Sequence, residues 1–555
     1  MPWSKLLGLL LLGLLGGQPT NPAARPCTVI ALSSSEADVQ SAINQARNGA
    51  VICVPAGTSN WPDGVFVTNG PTSAFLIGAG QSKTVITGNG VRLIGGSPAL
   101  TILGMTLPGS FPVQIQSSTK RYLVDAGGSP FPIFGFAAWG VVTLSPTDYR
   151  TFLDDRAQKG YTAIEMPAIV RSASSNPTAP FNGNGDLPFL KTLGGATWTG
   201  TTNPYGNINT DAPDFTTPNN AYWSYIDTFF NDCASRGLLV FTFPSYYGFE
   251  TSQEGWWHEM VANGQTNMQT YGAWFANRYK NQANLVFLFG GDNGVHNAFT
   301  TAEQNALQGL LTGLRSVSTT SLYYTAEWDR GSIASEQSVF GSSMTVNGTY
   351  AGATDINNQD RRAWAATPTE PAFLLEAMYD EAGPDGTNSQ PTATQPCRRF
   401  QAWPLLSAIG GYVHSNDFVW PFDGAGVWKT HLNTQTSLDM KRINAFIQSI
   451  AWWNLVPSAT AISSGGGTLN GADEVTIAVT RDNALAVSYL PPAHTGAVVI
   501  NMNIMRGTTR ARWEDPTAGT YTTDSTGLAN SGTHSFTTPG TNSAGGTDWF
   551  LVLDS

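Results

Sequence analysis

Leu285-Val286-Phe287-Leu288-Phe289-Gly290-Gly291-Asp292 is an apolar strand that ends in two glycines and a carboxylate. Ala372-Phe373-Leu374-Leu375-Glu376 repeats the arrangement, with the carboxylate set directly on the apolar run. Apolar runs this short, bounded by turn residues, read as buried strands. A carboxylate abutting such a strand is costly unless it is paired or put to use. Taken alone, each has an ordinary explanation. Asp292 would cap a following helix, and Glu376 would pair with an arginine such as Arg398 or Arg399.

Around these two runs, strand and helix alternate from about 120 to 457. Strands read at 132–136, 163–170, 238–243, 285–289, 321–326, 372–376 and 410–414. Ser145 caps a helix that runs through Tyr149, Phe152 and Leu153 to a stop at Gly160. A long Asn/Gly/Thr/Pro loop, 171–219, then interrupts the pattern. Tyr222, Tyr225, Ile226, Phe229, Phe230 and Cys233 fall on one face at helical spacing, closed by Gly237. About eight such units in roughly 340 residues favour a (β/α)8 barrel over an open doubly wound sheet. No G-x-G-x-x-G follows the first strand, which argues against a dinucleotide fold.

In such a barrel the active site lies at the C-terminal ends of the strands. Asp292 and Glu376 then end strands four and seven and make the pair that glycoside hydrolysis needs, one acid and one nucleophile or base. Tyr246 and Tyr247 in Pro244-Ser245-Tyr246-Tyr247-Gly248, Trp256 and Trp257 in Gly255-Trp256-Trp257-His258, and Trp328 also follow strand ends. Each singly is better read as packing; the cluster on one side of the barrel is what points to sugar-ring stacking.

Composition agrees. Only 12% of the 555 residues are charged, against about 25% in an average soluble domain. Lys plus Arg total 28 against 39 Asp plus Glu, a net charge of −11 with no basic cluster, so nothing would neutralise a nucleic-acid backbone. With 59 Gly, 33 Pro and 17 Trp, the chain is built for neutral polar ligands, carbohydrate first among them. The six histidines are scattered, and His258-Glu259 lacks the second His of a metalloprotease helix. Cys27, Cys53, Cys233 and Cys397 match no zinc spacing, so no metal or cofactor is expected. Cys27 and Cys53 flank one short segment in an export context and are expected to form a disulfide. Cys233 reads as a buried small hydrophobe.

Residues 1–24 read as a secretory signal: Lys5 precedes a short apolar run, too short to span a bilayer, and small residues follow. The protein is therefore expected to be secreted, extracellular or periplasmic, with no membrane association after signal removal. Residues 25–118 hold a helix-like segment at 36–47 and short β runs at 51–54, 75–77, 84–86, 91–94 and 100–103, which suit stacked coils better than hairpins. Gly78-Ala79-Gly80-Gln81-Ser82-Lys83-Thr84 lacks the second glycine of a phosphate-binding loop. Residues 458–555 show strand alternation between Gly/Thr/Pro turns and read as a small β-sandwich. Its Trp513 and Trp549 are either core aromatics or a sugar platform, with the core favoured.

At this point a resemblance emerges. Residues 119–457 resemble the apiosidase-like catalytic domain of glycoside hydrolases. The likeness rests on Trp139 after strand one, Pro218-Asn219-Asn220-Ala221-Tyr222, Pro244-Ser245-Tyr246-Tyr247-Gly248, Tyr271-Gly272 and Arg278-Tyr279. It continues through Asn284, Gly290-Gly291-Asp292, Glu376 with Tyr379, Arg398-Arg399 and Ala451-Trp452-Trp453-Asn454-Leu455-Val456-Pro457. The tail, with Trp513-Glu514-Asp515-Pro516 and Asp548-Trp549, is similar to the collagen-binding domain that often follows it. The opening of 25–118 looks like the start of a pectate-lyase-like right-handed β-helix, truncated to a few coils. The resemblance implies retaining chemistry, with Asp292 as acid/base and Glu376 as nucleophile. Substrate contacts are expected from Trp139, Tyr246, Tyr247, Trp256, Trp257, Glu327, Trp328, Tyr379, Tyr412 and Trp420. Phe136, Glu327 and Tyr412 depart from the family's usual Asp, His and His, and all three are expected to line the pocket.

The expected function is a secreted glycoside hydrolase acting on a plant or microbial polysaccharide, apiosidase-like on pectic side chains, with cell-wall or matrix binding by the tail. Two alternatives stand beside it. One is a pectin lyase-like activity on the first module, where Lys83 and Arg92 are the obvious bases; the other is a non-catalytic polysaccharide- or collagen-binding protein.

Overall fold

The computed structural model describes residues 27–46, 50–61, 65–68, 73–78, 84–88, 91–94, 99–103, 111–171, 178–200, 208–249, 254–317, 322–352, 355–381, 397–407, 409–422 and 426–555. The proposed signal segment, residues 79–83 with Lys83, and the side chain of Arg92 lie outside them. Met1–Pro108 and Gly109–Ser555 are separate compact units.

In the first unit the strand pairings among the described residues are all parallel. Val29–Ile30, Ala50–Val54, Ser73–Gly78 and Ala99–Leu103 make one sheet, Gly57–Trp61 pairs with Thr84–Gly88, and Val65–Thr68 with Val91–Ile94. The helix Glu36–Gln45, capped by Ser35, packs Val39 and Ile43 against Ile52, Trp61 and Leu76. Cys27 and Cys53 are joined by a disulfide, as expected.

The second unit opens with the barrel. Its strands are β1 (Ile133–Ala137), β2 (Ala163–Pro167), β3 (Leu239–Phe243), β4 (Leu285–Gly290), β5 (Tyr323–Glu327), β6 (Asn347–Tyr350), β7 (Ala372–Glu376) and β8 (Gly411–His414). They are parallel and neighbour one another in chain order, β8 returning to β1. Between β5 and β6 the ladder is irregular. Thr345 and Val346 donate their N–H to Tyr324 O at 2.8 and 3.0 Å, and Gly348 N–H reaches the Thr325 hydroxyl at 3.2 Å. Around the barrel run α1 (Pro146–Gln158), α2 (Asn220–Ser235), α3 (Trp257–Tyr279), α4 (Thr301–Arg315), α5 (Ile356–Ala365), α6 (Arg399–Leu406) and α7 (Gln435–Gln448).

Period-two alternation divides the strands. Ile133, Ala163, Leu239, Phe241, Val286, Leu288, Phe373 and Leu375 fill the barrel interior. Phe134, Phe136, Ile164, Val240, Phe287, Leu374 and Tyr412 face outward into the helix layer. Each fully buried Leu, Ile or Phe contributes about 1.5–3 kcal/mol, so both layers are strongly specified. The outward facing corrects two expectations. Phe136 packs on Phe152 and Tyr161, and Tyr412 packs on Phe134 and hydrogen-bonds to Gln401 and Asn444; neither reaches the mouth. Cys233 is buried on α2, as its helical position predicts.

The C-terminal module is antiparallel. A six-stranded sheet runs Leu455–Pro457, Thr476–Thr480, Leu485–Leu490, Trp549–Asp554, Thr509–Asp515, Thr520–Leu528, and faces a three-stranded one of Ile462–Ser464, Val498–Asn501 and Thr533–Phe536. Trp513 and Trp549 lie in its core, 2% and 5% exposed, so the platform alternative falls. The module docks on the barrel through Arg398, beside α6. Its guanidinium holds both oxygens of Asp548 at 2.7 Å and Asp439 of α7 at 2.7 Å. Among the described residues no helix is long and apolar enough to cross a membrane.

Candidate active site

Asp292 reaches the mouth of the barrel because of the two residues before it. Gly290 and Gly291 sit at φ 80° and 137°, a region that penalises any side chain. A Cβ on Gly290 would lie 2.5 Å from the Trp328 ring, and one on Gly291 2.6 Å from the Tyr246 ring. The chain therefore turns sharply at the end of β4. Asp292 itself, at φ 36°, tolerates that conformation better than most residues. It caps no helix: α4 begins at Thr301, with Thr300 and Glu303 forming its capping box. The ordinary explanation of Asp292 is removed.

Of the two arginines offered for Glu376, Arg398 is committed to Asp548 and Asp439. The Tyr379 hydroxyl donates to Glu376 Oε1 at 2.6 Å, and Trp139 Nε1 donates to that hydroxyl at 2.9 Å. On the other side the Tyr246 hydroxyl donates to Asp292 Oδ2 at 2.5 Å, with its ring 4.8 Å from that of Trp139. Trp139 thus braces the phenols that hold both carboxyls. Asp292, Glu376, Trp139, Tyr246, Tyr379 and Trp420 line one cavity of about 180 Å3. That is smaller than the roughly 300–1,000 Å3 of pockets for drug-sized ligands and suits a single sugar ring.

The other sequence candidates go elsewhere. Trp256 is buried and donates to Ile169 O, and Trp328 is buried, donates to Ala334 O and stacks on Phe340. Tyr247 is buried against Phe299, and Trp257 stacks on the His258 ring. Trp256, Trp328 and Tyr247, with Tyr412, are corrected from substrate contacts to packing, and Trp257, half-buried, is not among the residues that line the cavity. Glu327 is wholly buried at the end of β5, beside the carboxyl pair rather than on the cavity wall. Tyr350, Arg171, Glu254 and Phe249 line the cavity without having been singled out in the sequence. Arg171 ends the second strand's apolar run, the same signal that exposed Glu376.

Below the cavity lies Glu165 of β2, in register with Ala137 and Phe241, 1% exposed and without a hydrogen-bond partner on either oxygen. A carboxylate in the run Ala163-Ile164-Glu165-Met166 was the sequence signal for it. The barrel therefore gathers four acids, and their protons are held tightly. Burial, then the Asp292 charge, pushes Glu376 up to about 7, against hydrogen bonds from Glu327 and Tyr379. Burial raises Asp292, while Tyr246, Glu327, Tyr350 and the Arg330 charge pull the other way. Glu327 and Glu165 are pushed well above the carboxylate range by burial and by their acidic neighbours.

One oxygen each of Asp292, Glu327 and Glu376 lies within 4.8 Å of the other two, the one such grouping of metal-ligand types among the described residues. A hard divalent cation takes about six or more oxygens. Here three acids supply them, two already accepting from tyrosines. The set fits shared protons better than a cation.

An eight-stranded parallel barrel with paired carboxyls and aromatic rings at its mouth is the architecture of glycoside hydrolases. The chain belongs to the apiosidase-like family: its catalytic-domain model, described as "Apiosidase-like, catalytic domain", matches residues 117–454. Residues 456–554 match a second model, "Putative collagen-binding domain of a collagenase". Among solved structures, a glycoside hydrolase is similar at 16% identity and TM-score 0.63, covering 80% of this chain and 97% of its own. A glycoside hydrolase family 5 protein from Bacteroides vulgatus follows at 15% identity and TM-score 0.61, covering 80% and 93%. At these identities the likeness is one of fold. Among curated proteins none matches the chain.

Proposed function

We propose that this protein is a secreted, retaining glycosidase of apiosidase-like specificity that removes single sugar residues from pectic side chains. The observation that carries the reading is the cavity that holds Asp292 and Glu376 together, each with a phenol donor, beneath Trp139 and Trp420. Retaining enzymes place their carboxyl groups about 5–5.5 Å apart, inverting ones about 6.5–9.5 Å. The close oxygens here favour direct attack by Glu376 on the anomeric carbon. Asp292 first protonates the leaving oxygen and then, as base, activates the water that releases the sugar. Tyr379 orients Glu376, and the rings of Trp139 and Trp420 cover the apolar faces of the sugar. The small volume of the cavity favours cleavage at a chain end or branch. The segment at 1–24 directs export, the first module belongs with β-helix polysaccharide proteins, and the C-terminal module holds the enzyme at a cell wall or matrix.

The test is hydrolysis by the purified protein of a panel of 4-nitrophenyl glycosides and pectic oligosaccharides, with product anomers followed by NMR. Retention is expected, together with azide rescue of Glu376→Ala that yields the inverted glycosyl azide. First-formed product of inverted configuration, or release of unsaturated uronides, would replace this reading.

A further inference from the structure

Glu327 is set apart from the pair that it touches. It stands in register with Gly290 of β4, and Gly291 N–H bonds to its backbone oxygen, so the same strand end that projects Asp292 fixes Glu327 beside it. Its side chain is fully buried. No N–H or hydroxyl donor among the described residues meets either of its oxygens, whereas Asp292 and Glu376 each have a tyrosine. The polar groups nearest to it are the carboxyls of Asp292 and Glu376, one oxygen of each lying within 4.8 Å of one of its own. Two carboxyl groups hydrogen-bond only when one of them carries a proton.

The charged and titratable groups around it are Asp292 after β4, Glu376 of β7, Glu165 of β2, Tyr246 and Tyr350. All of these are acids, and no cation is among them. The Arg330 charge lowers both Asp292 and Glu376. Of the four carboxyls, Asp292 and Glu376 are the two supplied with donors, so the group's single negative charge is carried by one of that pair, and Glu165 and Glu327 keep their protons.

We propose that Glu327 is a neutral carboxylic acid shared between Asp292 and Glu376, a positioning residue that holds the pair in its working protonation pattern. The inference rests on the glycosidase reading given above. The Glu327 carbonyl oxygen accepts from protonated Asp292, and its hydroxyl donates to ionised Glu376. That pattern is the one retaining hydrolysis starts from: acid protonated, nucleophile charged. When the Glu376–sugar bond forms and the glycosidic bond breaks, the leaving oxygen takes the Asp292 proton. Glu327 keeps its own throughout, so the hydroxyl follows whichever of the two carboxyls is negative.

Glutamine copies a protonated glutamate in shape and in having one donor and one acceptor; alanine removes both. The full-length protein, Glu327→Gln and Glu327→Ala are compared on 4-nitrophenyl β-D-apiofuranoside over pH, with far-ultraviolet circular dichroism as a check on folding. The glutamine variant is expected to keep kcat within about tenfold of the parent with its pH limbs in place. The alanine variant is expected to lose about a hundredfold in kcat with little change in KM. Its acid limb should also move up by about one pH unit, because ionised Glu376 has lost a donor. Infrared spectra of the substrate-free proteins at neutral pH are expected to show a protonated-carboxyl C=O band that weakens in both variants. A glutamine variant as inactive as Asp292→Asn, an alanine variant with an unshifted profile, an unchanged infrared band, or a chelator-induced loss of activity restored by Ca2+ would each overturn the proposal. The infrared band needs no turnover. It therefore judges Glu327 even if no glycoside is cleaved, a failure that would fall on the proposed function instead.

Discussion

Two buried groups of acids in this molecule are handled in opposite ways. Where α6 meets the C-terminal module, Asp548 and Asp439 share the Arg398 guanidinium at 2.7 Å, with Tyr489 and Asn542 completing the shell of Asp548. At the mouth of the barrel, Asp292, Glu376, Glu327 and Glu165 have tyrosine hydroxyls, one another, or nothing. A guanidinium neutralises charge permanently and locks geometry. Protons neutralise it reversibly, which is what acid–base chemistry requires. The first group ties two modules together; the second is available for a reaction.

The contrast is open to direct attack. The largest expected effect is on the proton-held side: Asp292→Asn and Glu376→Gln should each lower kcat by about 10³-fold or more, with unchanged circular dichroism. On the cation-held side Asp548→Ala leaves the buried guanidinium with Asp439 as its remaining carboxylate. It should cost about 1–3 kcal/mol in urea unfolding, while the activity of the molecules that remain folded is kept. The smallest effect is with pH. A carboxyl whose pKa is higher folded than unfolded binds more protons in the native state. Its contribution is fully present below the ordinary carboxyl range, about 4.3 for Glu, and drains as pH rises through the folded value. That value is about 7 for Glu376 and about 8 for Glu514, buried in the C-terminal module. The melting temperature should therefore fall by several degrees from pH 5 to pH 9. Glu376→Gln should flatten the lower part of that slope. A melting temperature that rises over this interval would show that these acids are ionised in the native state.

Much of the barrel was legible because its strands are continuous apolar runs, and seven of the eight could be read from them. The missing one, Asn347–Tyr350, is four residues long with a polar start, and its pairing with β5 is irregular, so it lacks the run that marks the rest. It carries Tyr350 into the cavity, and for that reason Tyr350 went unseen. Asp292, Glu376, Trp139, Tyr246, Tyr379 and Trp420 could be gathered from strand ends and family motifs. Trp256, Trp328, Tyr247 and Tyr412 carry the same residue chemistry in similar places. Near a bulge or a turn, linear spacing no longer says which face a ring points to, because a shift of one residue reverses it.

The order of modules, the barrel class and the carboxylates at two strand ends were legible in the linear chain. Those features follow from local periodicity and from the cost of placing charge against apolar runs. Only the tertiary structure decided which aromatics meet the cavity, that Arg398 serves Asp548 rather than Glu376, and that Glu327 and Glu165 join the pair. Those outcomes depend on side chains distant in the sequence converging in space, and in the barrel exclusion from water turns separate carboxyls into one coupled group.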